Sequence, residues 1–167
     1  MTDHAAHPEQ VKKIADLIKS IDFGMLTTLD AEGRLHSRPM SSNKEVEFDG
    51  DVWFFTYGSS PKVYEIENRP YVNVAFSDPK TQTYISLSGR AELVRDPAKI
   101  KELWQPSLRA WFPKGVDEPD IALLKISADQ AEYWDSPASP IAHAISLAKV
   151  AITGKSAQPG ENEKVSL

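Results

Sequence analysis

The sequence predicts a mainly β domain of the α+β class, with five or six antiparallel strands closing into a small barrel and helices attached at its periphery. Three observations lead there. Residues 71–77 alternate, with Val72, Val74 and Phe76 set against Asn73 and Ala75, as a half-buried strand does. Short turn signals recur between such stretches, at Asp30-Ala31-Glu32-Gly33, Asp49-Gly50-Asp51 and Asp78-Pro79-Lys80-Thr81. Helical spacing is found in separate blocks: Val11, Ile14, Leu17, Ile18 and Ile21 form one, and Ile100, Leu103, Trp104, Ser107, Leu108, Trp111 and Phe112 form another.

The elements follow in order. A helix over 8–20 sets its apolar stripe against Lys12, Lys13, Asp16 and Lys19 and is expected to lie on the barrel. Strands follow at 23–29 and 34–42. In the second, Pro39 removes a backbone donor, which argues for an edge position, a bulge, or a face given over to a ligand. A strand over 52–56 leads into Tyr57-Gly58-Ser59-Ser60-Pro61-Lys62, which opens a short helix over 61–68 that stops before Arg69-Pro70. The strand over 71–77 is followed by a long one over 83–94, where Gly89 interrupts the side-chain row and suggests a bulge or a sharp bend. Asp96-Pro97 is a helix start, and Pro106 is expected to kink or split the helix behind it. Two further strands are read at 121–126 and 131–135, and a helix at 138–152. The rest, 154–167, is polar and aperiodic and is expected to be a flexible tail to a single domain spanning 1–153.

Composition limits the partners. Nineteen Lys and Arg against twenty-four Asp and Glu give a net charge of −5, which supplies no basic field for nucleic acid or an anionic membrane. No cysteine is present, so disulfides and thiolate metal sites are excluded, and His4, His7, His36 and His143 lack metal-ligand spacing. No apolar run has the length of a membrane span or signal peptide, and a cytoplasmic location is the default expectation. The partner is expected to be a small molecule.

The loop at 57–62 has the parts of an anion site. Ser60 suits an N-cap, Pro61 suits the first helical position, and the helix start is expected to present unpaired N–H groups to a phosphate. Lys62 opposes the helix dipole there, so it is either a solvated turn lysine or the neighbour of something anionic. Four short motifs around this loop occur in a fixed order: Ser37-Arg38-Pro39-Met40; Trp53-Phe54-Phe55-Thr56 with Ser60 and Lys62; Glu67-Asn68-Arg69-Pro70 leading into 72–76; and Tyr84 to Glu92. Together, over roughly residues 8–135, they resemble the pyridoxamine 5'-phosphate oxidase-like flavin proteins, in particular their general stress protein branch.

That resemblance implies a split barrel and a homodimer holding FMN at the subunit interface. It places Ser60, Lys62 and Arg38 on the phosphate side, with Arg38 either on the phosphate or at the ring edge. Met40, Phe55 and Thr56 lie on the strands that would flank the ring, although Met40 and Phe55 read equally well as barrel core. Tyr84 matches a position contacting the cofactor from the other subunit, and Trp134 matches a C-terminal tryptophan that does the same. Trp111, in Trp111-Phe112-Pro113-Lys114-Gly115, resembles a residue covering the flavin from one side, whereas Trp104 is expected to pack on the barrel. No acid, base or nucleophile stands out in these motifs. The function expected is flavin-dependent oxidoreduction with a nicotinamide or another small substrate. The alternatives are a non-catalytic flavin-buffering stress protein and a relative binding deazaflavin or haem. A pyridoxamine phosphate oxidase proper is disfavoured, because the segment after Trp134 contains no arginine for a substrate phosphate.

Overall fold

The computed structural model describes residues 8–43, 46–136 and 160–167. Among them are three α-helices, α1 (Pro8–Lys19), α2 (Pro61–Asn68) and α3 (Pro97–Leu103), and seven strands. The strands are β1 (Phe23–Leu29), β2 (Leu35–Ser41), β3 (Asp51–Tyr57), β4 (Tyr71–Asp78), β5 (Thr83–Val94), β6 (Ile121–Asp135) and β7 (Glu161–Ser166). They form one antiparallel sheet in the order β2-β1-β4-β5-β6-β3, with β7 paired to β6. The helix expected at 138–152 lies outside the described residues.

The sheet is built by alternation. In β1, β4 and β5 every second residue is buried, so Leu26, Val74, Phe76, Ile85 and Leu87 point to one side together. Helix α1 closes that side by placing Ile14, which is 0% exposed, against the same cluster. Strand β3 is covered on both faces. Phe54 joins this first core, and Phe55 joins a second one made with Ile100, Leu103, Leu108, Phe112 and Leu123. Each such side chain contributes about 1.5–3 kcal/mol on burial.

Strands β2 and β3 are the two ends of the hydrogen-bonded order, so the sheet curls without a ladder joining them among the described residues. The expected barrel is therefore split. Pro39, opposite Met25, sits in the end strand β2, where a missing N–H interrupts no second ladder.

Four local expectations are refined. The register between β5 and β6 shifts at Ser88/Gly89, as the glycine suggests, and the extra residue is Asp129 of β6, because Gly89 faces Ala128 and Ser88 faces Gln130. A Cβ on Gly89 would lie 2.1 Å from the Ser127 carbonyl oxygen, so only glycine fits this approach. The two strands read at 121–126 and 131–135 are one strand, since the long partner β5 carries the pairing through the polar bulge. The helix begun by Asp96, whose side chain accepts from the Ala98 N–H, ends at Leu103, and a 3-10 turn Pro106–Ala110 replaces its continuation. Part of the expected flexible tail, Glu161–Ser166, is a strand that buries Val165 to 2% exposure, its backbone paired with Gln130 to Asp135.

Candidate functional site

Four of the expected site residues, Arg38, Thr56, Ser60 and Lys62, lie around the gap between β2 and β3. Arg38 and Met40 leave β2 on the inward side, in register with Leu26 and Gly24, and Thr56 is the last residue but one of β3, ahead of the loop that leads to α2. Ser60 occupies the N-cap position, but its hydroxyl caps nothing; it lies 3.2 Å from the buried Thr56 hydroxyl. Pro61 takes the first helical position, as expected.

The main-chain donors differ from the sequence-based expectation. Gly58 N–H donates to the Asp120 carbonyl at 2.8 Å, Ser59 N–H to the Asp120 carboxylate at 2.9 Å, Ser60 N–H to Tyr57 O, and Val63 N–H to Ser60 O. Pro61 has no N–H, which leaves Lys62 as the main-chain donor of 58–63 without an acceptor among the described bonds. The loop thus offers an anion side chains rather than a nest of amides. These are the Lys62 ammonium and the Ser60 hydroxyl; the buried Thr56 hydroxyl behind them donates to the Tyr57 carbonyl at 3.2 Å.

Lys62 is the distinctive group. It is half-buried and makes no hydrogen bond or ion pair to another described residue. Burial first, and then the Arg38 guanidinium, push its pKa below the usual lysine value, and Glu65 only partly offsets them. Arg38 is committed inward. Its Nη2 lies 2.8 Å from Glu65 Oε2 and 2.9 Å from His36 Nδ1, and its Nη1 donates to the Thr28 hydroxyl, which in turn donates to Glu65. Burial pushes the Glu65 carboxyl upward, yet the Thr28 hydroxyl and Arg38 together hold it below the usual range. Glu65 is paired with Arg38 and not with Lys62, so one carboxylate stands against two cations and the three side chains together carry a net positive charge.

The other expected residues are placed apart from this cluster. Met40 is buried in the first core and Phe55 in the second, so both serve as core side chains and face different clusters. Trp104 packs edge-on against Phe55 at 5.6 Å, as expected of a structural ring. Trp111 is 50% exposed and touches Phe23 edge-on at 6.4 Å. With Ser41, Gln105 and Ser107 these rings line a cleft of about 310 Å³, and its carbonyl accepts from the Tyr57 hydroxyl at 2.9 Å. A second cleft of about 230 Å³ lies between α1 and β3, and neither cleft is lined by Ser60 or Lys62.

Tyr84 and Trp134 are direct cross-strand partners, 43% and 39% exposed, on the outward face of the sheet. That face also carries exposed Phe23, Met25, Leu35 and Tyr71. The rows are contiguous, Pro39, Met25, Ala75 and Ser86 lying side by side in register.

Sequence reasoning missed Glu65, Thr28, His36, Ser59, Arg95 and Asp120. Glu65 had a signal, since it lies three residues after Lys62 on the same helix face. Asp120 had none, because its contact with Ser59 spans 61 positions.

Comparison with known proteins places this geometry. The model of the family described as "Pyridoxamine 5'-phosphate oxidase like" matches residues 9–158. A general stress FMN/FAD binding protein from Xanthomonas citri is 33% identical, over 77% of this chain and 90% of its own, with a TM-score of 0.65. A crystal structure named for general stress protein 26 from Jannaschia sp. CCS1 superposes with a TM-score of 0.76 over 96% of this chain and all (100%) of its own; at 23% identity that likeness concerns the fold. Protein bli-3 of Neurospora crassa is 25% identical over 95% of this chain and 80% of its own length. With the family model matching nearly its whole length, the chain belongs to the pyridoxamine 5'-phosphate oxidase-like family, in its general stress protein branch.

Proposed function

We propose that this protein binds FMN as a homodimer, with the cofactor in the β2/β3 gap at the subunit interface, and that it is a flavin-dependent oxidoreductase. The observation that carries the reading is Lys62, a half-buried cation with a depressed pKa and no described acid partner beside a second cation. A phosphate monoester with about two negative charges fits that imbalance. Ser60 supplies a hydroxyl two residues before Lys62, backed by the buried Thr56 hydroxyl at 3.2 Å. The 33% identical Xanthomonas citri protein, named for FMN/FAD binding, supports a flavin as the molecule carrying the phosphate.

A bound flavin would supply the electron or hydride chemistry, and the protein would supply position and access. Glu65 is engaged by Arg38 and Thr28 and does not serve as a base. The backbone edges of β2 and β3, which pair with no further strand among the described residues, are suited to the polar rim of a ring, with Met40 and Phe55 behind them as fixed core. The outward sheet face bearing Tyr84 and Trp134 is suited to a second copy of this chain, which would bring those aromatics to the partner's cofactor.

The test of the catalytic part is anaerobic mixing of the FMN-loaded protein with NADH or NADPH, following flavin bleaching. Bleaching faster than that of free FMN supports an oxidoreductase. Bleaching absent in the wild type but present in Trp111→Ala or Trp134→Ala would favour a closed flavin-holding protein whose tryptophans exclude reductant. Sedimentation tests the assembly: a monomer with FMN fully bound would overturn the shared site.

A further inference from the structure

The 57–60 loop is held by Asp120, which leads into the neighbouring strand β6, 61 positions from Ser59 in sequence, where Tyr57 pairs with Ile121. Ser59 gives both its N–H and its hydroxyl to Asp120 Oδ2, at 2.9 and 2.6 Å, and Gly58 N–H donates to the Asp120 carbonyl at 2.8 Å. Arg95 approaches the same carboxylate at 3.4 Å, and its guanidinium lies over Gly58 so closely that a Cβ there would be 2.2 Å from Nη2. The Tyr57 hydroxyl reaches the Trp111 carbonyl. The Ser59 hydroxyl and N–H, with Arg95, hold the Asp120 carboxyl below its usual range. Asp120 therefore stays charged at neutral pH and occupies, from within the chain, the donors that would otherwise compete for a ligand.

We propose that Asp120 is the positioning residue of the phosphate loop: its carboxylate, supported by Arg95, clamps Gly58-Ser59 so that Ser60 and Lys62 are presented to the phosphate. Two consequences follow. Ser59, although adjacent to Ser60, is not a ligand residue. The 111–120 segment acts on the phosphate end of the site through Tyr57 and Asp120, and not only as a cover for the ring. This inference rests on the FMN reading above.

The experiment compares FMN with riboflavin, which lacks the phosphate, by fluorescence titration of wild type, Asp120→Asn, Asp120→Ala and Ser59→Ala. The 31P resonance of bound FMN and the thermal midpoint of each protein are recorded alongside. The riboflavin-to-FMN Kd ratio is expected to fall about tenfold in Asp120→Ala, the equivalent of one charge-assisted hydrogen bond, and less in Asp120→Asn and Ser59→Ala. The riboflavin Kd should change less than about twofold, and the bound 31P signal should shift toward that of free FMN. A merely structural role would weaken both ligands together and leave the ratio and the bound 31P shift unchanged. A high wild-type ratio that persists in folded Asp120→Asn and Ser59→Ala overturns the inference alone. A wild-type ratio near one overturns the phosphate-loop reading itself, and the inference with it.

Discussion

Replacing Lys62 by methionine separates the ligand role of this residue from its packing. Methionine keeps an unbranched apolar stem in the half-buried position and removes only the ammonium. The Lys62 pKa is depressed by burial and by Arg38, so its charged form is disfavoured in the folded protein relative to the unfolded chain. That penalty is complete below the depressed folded value, shrinks as pH rises through it, and is gone above the ordinary lysine pKa of roughly 10.4. The unliganded Lys62→Met protein should therefore melt no lower than wild type at pH 7, and the two should converge in strongly alkaline buffer. FMN reverses the sign. An ammonium-to-phosphate hydrogen bond is worth about 1.5–3 kcal/mol, so the FMN Kd should rise about 10- to 150-fold while riboflavin is unaffected. The assay is flavin fluorescence titration with thermal melts of the same samples. Equal weakening of both ligands, or a lower melting temperature without ligand, would refute the assignment of Lys62 as an anion contact.

Three further outcomes follow from the packing. Glu65→Ala leaves Arg38 facing the interior without its acid and should cost about 3 kcal/mol at pH 7 in urea unfolding, because both side chains are mostly buried, at 17% and 11% exposure. Since the Glu65 carboxyl is held below its usual range, its contribution is complete above roughly pH 4.3 and is lost as pH falls through the folded value; the gap between wild type and Glu65→Gln should narrow in acid. Gly89→Ala drives a methyl into the Ser127 carbonyl, a backbone atom that cannot swing away, and should destabilise by roughly 3 kcal/mol in chemical denaturation. Val165→Ala should cost about 1–2 kcal/mol, and hydrogen exchange should show protected amides in Glu161–Ser166; rapid exchange throughout would contradict β7.

Local signals carried much of the fold. Strand β1, helix α2 and strand β5 have the bounds that alternation, the Ser60-Pro61 start and the flanking turns predict, because those signals lie within a few residues of the elements they define. Strand β6 was legible only in two pieces, since Ser127, Asp129 and Gln130 look like an end until the partner strand is known. Strand β7 was not legible: Glu161, Asn162, Glu163 and Lys164 have no apolar alternation, and pairing with β6 makes the strand. At the site, the structure places Ser60, Lys62 and Arg38 near one another, and the partners they find there were not legible in the sequence. Arg38 was left open between phosphate and ring, and the structure commits its guanidinium to Glu65, Thr28 and His36. The Asp120 clamp depends on strand register, which sequence spacing does not encode.

The binding of FMN is the central claim, and the protein as purified tests it most directly. Its visible spectrum should be that of a bound flavin, and the chromophore released on denaturation should carry a phosphate and rebind the stripped protein in the presence of excess riboflavin. A haem or deazaflavin spectrum, or a colourless protein that takes up no added FMN, would contradict it.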